Sequence, residues 1–230
     1  MTNPVLLAEW LVGSHAYGVA DQFSDKDYVS VWLEPAAAVT GLAPFDTRQT
    51  VTQDVDTTRY GLREWARLVV NGNPNMIETL FISPANVHPL FAEVLEEIRP
   101  AMLSARVRHR FAGYASSQVA ALEGRRNKKT NRPGLIAQHG WDTKWGYHAV
   151  RVAAEGLELL QTGRIVFPLK NREFLRSIRE GAVARDTVIE YTTALVEELR
   201  ESDRATPLPD APDYDVVNKL LHDTYITLWR

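Results

Sequence analysis

The apolar pattern of the chain changes period near Tyr60, and that change limits the folds open to it more than any other feature. Upstream, apolar residues come in short runs or alternate with polar ones. Val5 to Val12 (VLLAEWLV) is broken once by Glu9 and ends at Gly13-Ser14, which predicts a strand. Tyr28 to Leu33 (YVSVWL) is β-branched and aromatic, predicts a second, and is closed off by Pro35. Thr50 to Thr58 (TVTQDVDTT) alternates polar and β-branched residues, predicting a third strand with one face open to solvent or to a site. Beyond Tyr60, Leu62, Trp65, Leu68 and Val69 fall at helical spacing, and Gly72 and Pro74 stop that helix at Asn71. After the apolar segment Met76 to Ile82, the pattern is helical over 89–99, 105–123, 143–162, 171–180, 185–201 and 214–228. Gly163, Gly181 and the stretch Pro207 to Pro212 separate the last of these. A small unit of strands and helices over residues 1–100 and a helical region over 101–230 are therefore expected.

With 230 residues, 45% of them hydrophobic, the chain can bury about 70–75% of its unfolded surface without staples. It has no cysteine, which excludes a disulfide framework, a thiol nucleophile and every cysteine-based zinc site. Met1 to Gly13 lacks a cationic leader and reads as a buried strand. No segment approaches the roughly 18 uninterrupted apolar residues of a membrane span. A soluble, cytoplasmic protein with no membrane partner is expected.

Two carboxylates mark the segment Gly13 to Val29 (GSHAYGVADQFSDKDYV). Asp25 and Asp27 stand at the entry to the second strand, where side chains two apart share a face. Held that close they repel, and a hard divalent cation, Mg²⁺ or Mn²⁺, relieves the repulsion when it is shared with substrate phosphates. Gly13 permits close backbone approach at a strand end. Ser14 can cap the turn that follows, with free N–H groups directed at an anion. A third acid is expected on the next strand to complete a two-metal set. Asp56, nearer the helix, is favoured, with Asp54 as the alternative. An Asp-x-Asp by itself is more often a turn cap; the Gly-Ser before it and the acid-bearing strand after it tip the balance toward a site.

Gly-Ser, a short helical spacer, Asp-x-Asp and an apolar strand together resemble the DNA polymerase β superfamily of nucleotidyltransferases. Further segments resemble its RlaP-like branch, found in phages and bacteria and sometimes linked to RNA ligases. They are Ser24-Asp25-Lys26-Asp27-Tyr28, Leu62-Arg63-Glu64-Trp65, Gly72-Asn73-Pro74-Asn75 with Glu78, and Trp141-Asp142-Thr143-Lys144 with His148 and Arg151. Trp145 departs from that pattern, since a histidine is expected after Lys144. The resemblance implies an α+β fold with a small mixed sheet carrying three carboxylates, and a helical region closing over the nucleotide. It implies transfer of a nucleoside monophosphate from a triphosphate, ATP in the first place, to an acceptor hydroxyl, with RNA or tRNA ends as the acceptor that ligase-linked relatives favour. Ser14 would then touch the triphosphate while Asp25, Asp27 and the third acid hold the metals. A protein or small-molecule acceptor, and a nucleotide-binding regulator without turnover, are the alternatives.

The helix from Thr143 can be read without the resemblance. Lys144, His148 and Arg151 stand at i, i+4 and i+7, so they form a stripe of one sign that a triphosphate would compensate. The bland counterpart is a solvated basic face capped by Asp142 or Thr143. Glu78 interrupts an apolar run and is expected to pair with Arg63 or Arg67, with a role as a base at the site as the alternative. Tyr17, Trp141, Trp145 and Tyr147 are candidates for stacking a base, or core residues, and His15 is a surface histidine or a phosphate contact. Eight basic side chains between Arg106 and Arg132 face Glu123 alone, a local +7 in a chain of −3. Its densest part, Arg125 to Arg132 (RRNKKTNR), is expected to be a mobile loop with a salt-dependent grip on NTP or RNA.

Overall fold

The protein was analysed as a computed structural model, which describes residues 4–52, 55–125, 132–201 and 206–229. The fold is α+β. Five strands form one mixed sheet: β1 (Val5–Val12), β2 (Lys26–Leu33), β3 (Arg48–Val51), β4 (Val55–Gly61) and β5 (Asn86–Val87), in the order β3-β4-β2-β1-β5. Only β2 and β4 run parallel; the other pairs are antiparallel. β2 lies in the middle because Val29, Ser30, Val31 and Leu33 are all buried, so both of its faces are covered. The stretch expected as one strand over 50–58 is instead parts of two. Thr52 N–H donates to the Val55 carbonyl (2.8 Å), the chain reverses, and β3 returns along β4 as an exposed edge.

Helix α1 (Gly13–Tyr17) joins β1 to β2, and α2 (Ala36–Val39) follows β2. Helix α3 (Leu62–Val70) buries Leu62, Trp65, Ala66 and Val69, an i, i+3, i+4, i+7 stripe. Trp65 stacks on Trp10 of β1 at 6.3 Å and meets Phe91 edge-on at 5.9 Å, while its indole N–H donates to Thr79 Oγ1 (2.9 Å). That cluster fixes α3, α5 (Pro89–Met102) and the sheet to one core. Between them lie α4 (Pro74–Ile77) and a 3₁₀ turn (Glu78–Leu80), opened by Asn73, whose side chain accepts from the Met76 N–H.

The chain divides into two compact units, residues 1–104 with 210–230, and residues 105–209. The second contains α6 (Val107–Leu122), α7 (Pro133–His139), α8 (Thr143–Thr162), α9 (Arg172–Arg179) and α10 (Arg185–Glu201). Helix α8 is its axis, packed between α6 and α10. Helix α11 (Tyr214–Leu228) belongs to the sheet unit, although a single cut near residue 100 would leave it with the other helices. It packs on α5 and is tied to the sheet by Glu34, a buried carboxylate just after β2. It accepts from the Leu62 and Arg63 N–H groups at the start of α3 (3.1 and 3.4 Å) and from the Tyr225 hydroxyl of α11 (2.5 Å). The Trp229 indole donates to the Glu34 carbonyl (2.8 Å). Gly61 is required beside it, since a Cβ there would fall on the Glu34 carboxylate. Burial first, and the bond to Glu34 second, push the Tyr225 phenol well above its ordinary pKa. Among the described residues no helix is long and apolar enough to cross a membrane.

Candidate active site

The segment from Gly13 to Asp27 folds back on itself. Val12 pairs with Asp27 in the β1–β2 register, so the end of one strand lies beside the start of the next. Gly13 has φ +66°, and a Cβ on it would run into Asp27 Oδ2, so only glycine lets the backbone lie against this carboxylate. His15 Nε2 meets the Ser24 carbonyl at 3.3 Å, and Asp21 ties the loop before Asp25 by accepting from the Phe23 N–H (2.8 Å) and the Ser24 hydroxyl (3.0 Å). His15 therefore holds the loop that delivers the first acid.

Asp27 is the direct partner of Asp56 in the parallel β2–β4 register. Paired residues on adjacent strands share a face and stand roughly 4.8 Å apart along the hydrogen-bonding direction. Asp56 Oδ2 accepts from Gln49 Nε2 of β3 (2.6 Å), while its Oδ1 is buried with no hydrogen-bond partner. Asp25 lies exposed one residue before β2 begins. Asp54 is outside the described residues. Among those described, no three histidine, aspartate or glutamate side chains are gathered closely enough to hold a metal. What is assembled is a carboxylate pair with a glycine at its side rather than the expected triad. The pair suits a hard cation: a buried carboxylate oxygen lacks a partner, the second carboxylate stands in register beside it, and the space next to Asp27 is kept clear by Gly13.

Glu78 is buried, and the Tyr17 hydroxyl donates to its Oε2 at 2.6 Å. Arg67, one of the two arginines expected beside it, makes a two-pronged contact with Glu64 one turn earlier (2.7 and 2.9 Å). Glu64 is held below its ordinary pKa, first by that hydrogen bond. Tyr17 is thereby a buried link from the turn after Asn73-Pro74-Asn75 to the helix bearing Ser14, not an exposed stacking surface. Sequence reasoning missed this link, as it missed Glu34; the apolar run around Glu78 was the available signal.

On α8, Asp142 is the N-cap: its carboxylate accepts from the Lys144 and Trp145 N–H groups (3.1 and 3.3 Å) and from Arg132 Nη1 (2.8 and 2.9 Å). Lys144 is exposed. Arg151 is not on that exposed stripe: it is 1% exposed and paired with Glu155, one turn on, at 2.9 and 3.1 Å. Of the stripe, Lys144 reaches solvent and Arg151 does not. Trp141 and Tyr147 are core residues. Of the basic segment 125–132, residues 126–131 lie outside the described ones. Arg125 Nε donates to Glu123 (2.8 Å), and Arg132 is bound to Asp142.

His148 is held well below its ordinary pKa, first by burial and then by Arg151, Lys144, Arg132 and Arg179. The unfolded chain takes up this proton near pH 6.5, the folded one only well below. The contribution to stability is thus whole above about pH 6.5 and is lost as pH falls below it. Histidine-selective NMR should place the His148 titration well below pH 6.5. Urea midpoints should drop between pH 7 and 5, and drop less in His148→Gln. A titration near pH 6.5 would contradict this.

Residues 2–223 match the model of a family described as RlaP, RNA repair pathway DNA polymerase beta family. Among solved structures, a nucleotidyltransferase-like protein from Exiguobacterium sibiricum 255-15 matches at 10% identity. That match covers 96% of this chain and 73% of that one, with a TM-score of 0.33. No curated protein matches.

Proposed function

The chain belongs to the RlaP family, and from that premise we propose that it transfers a nucleoside monophosphate from an NTP, ATP first, to an acceptor hydroxyl on RNA or tRNA. The observation that carries this reading is the register that sets Asp27 beside Asp56, with Gly13 pressed against the first of them. Asp27 and Asp56, joined by Asp25 at the strand entry, are the residues to hold Mg²⁺ or Mn²⁺, and Asp54 stands as the alternative third acid. When bound, such ions supply charge neutralisation at the leaving pyrophosphate and activation of the attacking hydroxyl.

The chain's own groups do the positioning. Gly13 leaves the backbone of α1 open to a phosphate approaching Asp27, with Ser14 adding a hydroxyl donor. Tyr17 and Glu78 fix that short helix from behind, so Ser14 is presented by a packed element rather than a free loop. His15 and Asp21 hold the approach to Asp25. Lys144 and His148 are proposed as further substrate contacts. Arg151, sealed in its pair with Glu155, acts as a support for α8 instead.

The deciding experiment is to incubate the protein and Mg²⁺ with each α-labelled NTP and with RNA, protein and metabolite fractions. Label should enter RNA, and chelation of the metal should stop it. Label in protein or metabolite alone would move the acceptor elsewhere. NTP binding without pyrophosphate release would make the chain a nucleotide-binding regulator and defeat the transferase reading.

A further inference from the structure

We propose that the helical unit holds a nucleobase-binding pocket, shaped for adenine, between α8, the segment before α9, and α10. Asn171 reads the edge of the base and Tyr191 covers its face. The cavity there has a volume of about 300 Å³, within the range of small-ligand sites, and all of its lining comes from residues 105–209. Leu157 of α8, Leu169 before α9 and Leu195 of α10 give it apolar walls. Tyr191 of α10 also lines it, 43% exposed, with its ring fixed edge-on by Phe174 of α9 at 5.2 Å. An aromatic ring held in this way offers a face on which a base stacks without first losing side-chain freedom.

Asn171 breaks a local rule. It is the N-cap of α9, a position where asparagine ordinarily turns its side chain back to accept from the first free N–H groups of the helix. Here it makes no such bond, and its Nδ2, on a residue that lines the cavity, is buried with no hydrogen-bond partner. A buried donor without a partner costs stability, and an acceptor on a ligand removes that cost. A carboxamide sets a donor and an acceptor side by side in one plane, the pattern that matches N7 and the exocyclic amine of adenine. The charges argue for a neutral ring rather than a phosphate. Those lining the cavity are Glu155, Glu158 and Lys170. Glu155 is paired with Arg151 at 2.9 Å and Glu158 with Lys170 at 2.6 Å, so the one cation of the lining is already bound to a carboxylate. Sequence reading placed Asn171 inside a helix over 171–180 and saw no site, because the cavity is assembled from segments as far apart as Ala154 and Leu195.

Two sources carry such a base: a nucleotide such as ATP, and an unpaired position in an RNA strand. For that biological identity the pocket rests on the transferase reading, while its chemistry does not. The test titrates the full chain, in metal-free buffer, with adenosine, ATP and a short oligoadenylate, and with uridine as the mismatched base. Adenosine should bind, and uridine should bind about tenfold more weakly or less. Asn171→Asp should weaken adenosine binding about tenfold or more, because it exchanges the donor for a second acceptor. The same variant should keep the thermal midpoint level or raise it, since aspartate caps a helix as well as asparagine does. Tyr191→Ala should weaken adenosine binding by a similar factor. Tyr214→Ala, at an exposed tyrosine of α11, should leave it unchanged. ATP bound more tightly than adenosine assigns the pocket to the nucleotide, oligoadenylate bound more tightly assigns it to the strand, and equal affinity shows that the base alone is read. Absence of binding by all three adenine probes overturns the proposal, as do uridine bound equally well and wild-type affinity in Asn171→Asp. Asp27→Asn should bind adenosine normally. Adenine binding that depends on Asn171 in a protein that transfers nothing would leave this pocket standing and the transferase reading fallen. Transfer without such binding would do the opposite.

Discussion

Asp27→Asn should lower nucleotidyl transfer on the order of 10³-fold or more, and Asp56→Asn should match it. Both carboxylates lie on one face of adjacent parallel strands in direct register, so exchanging either for an amide removes a charge and a hard oxygen from the same point. The accompanying signature is in stability. The fold satisfies only one oxygen of Asp56, through Gln49, and leaves the buried Oδ1 without a partner. Removing the charge relieves two neighbouring carboxylates of their repulsion, so the thermal midpoint of Asp56→Asn should hold or rise. Full turnover in both variants would make the pair a structural feature. Asp25→Asn ranks the exposed acid: unchanged turnover would remove it from the set and leave the pair alone.

The second large effect is expected far from the carboxylates. Glu34→Ala should destabilise the protein by about 2–4 kcal/mol, since it uncaps α3 and strands the Tyr225 hydroxyl at once. Tyr225→Phe should cost about 1 kcal/mol, because it leaves the Glu34 carboxylate its two backbone donors. Urea unfolding of the full chain, followed by tryptophan fluorescence, measures both. A Glu34→Ala variant within about 0.5 kcal/mol of wild type would show that the bonds at this carboxylate add nothing beyond ordinary surface contacts.

Legibility in the sequence followed the range of the interaction. The helices α8 and α10 carry long periodic stripes, α8 with a cap at one end and a glycine at the other, and their bounds match the expected ones. The β3–β4 hairpin was hidden because Thr50 to Thr58 has one alternating pattern throughout, and a reversal inside it changes pairing without changing period. Asp27 and Asp56 could be picked out as chemistry, but that they are opposite each other is a fact of register between segments 29 residues apart. The stripe from Lys144 to Arg151 failed at its end because helical spacing gives a face without saying whether it is covered, and Arg151 is buried. Glu34 gave no local sign at all. Its partners are distant in sequence, and a lone charged residue after a strand looks like solvent-facing surface.

The bond between Glu34 and Tyr225 spans 191 residues, and it dictates an order of assembly. At about 5–20 residues per second of synthesis, roughly 10–40 s separate the emergence of the two partners. Through that interval β2 and the start of α3 exist while the hydroxyl that completes them does not. The helices of residues 105–209 are made within the same interval, α10 (Arg185–Glu201) last of them. The sheet is thus begun first and finished last, and any stall in translation between these two points would leave an acidic group without its phenol.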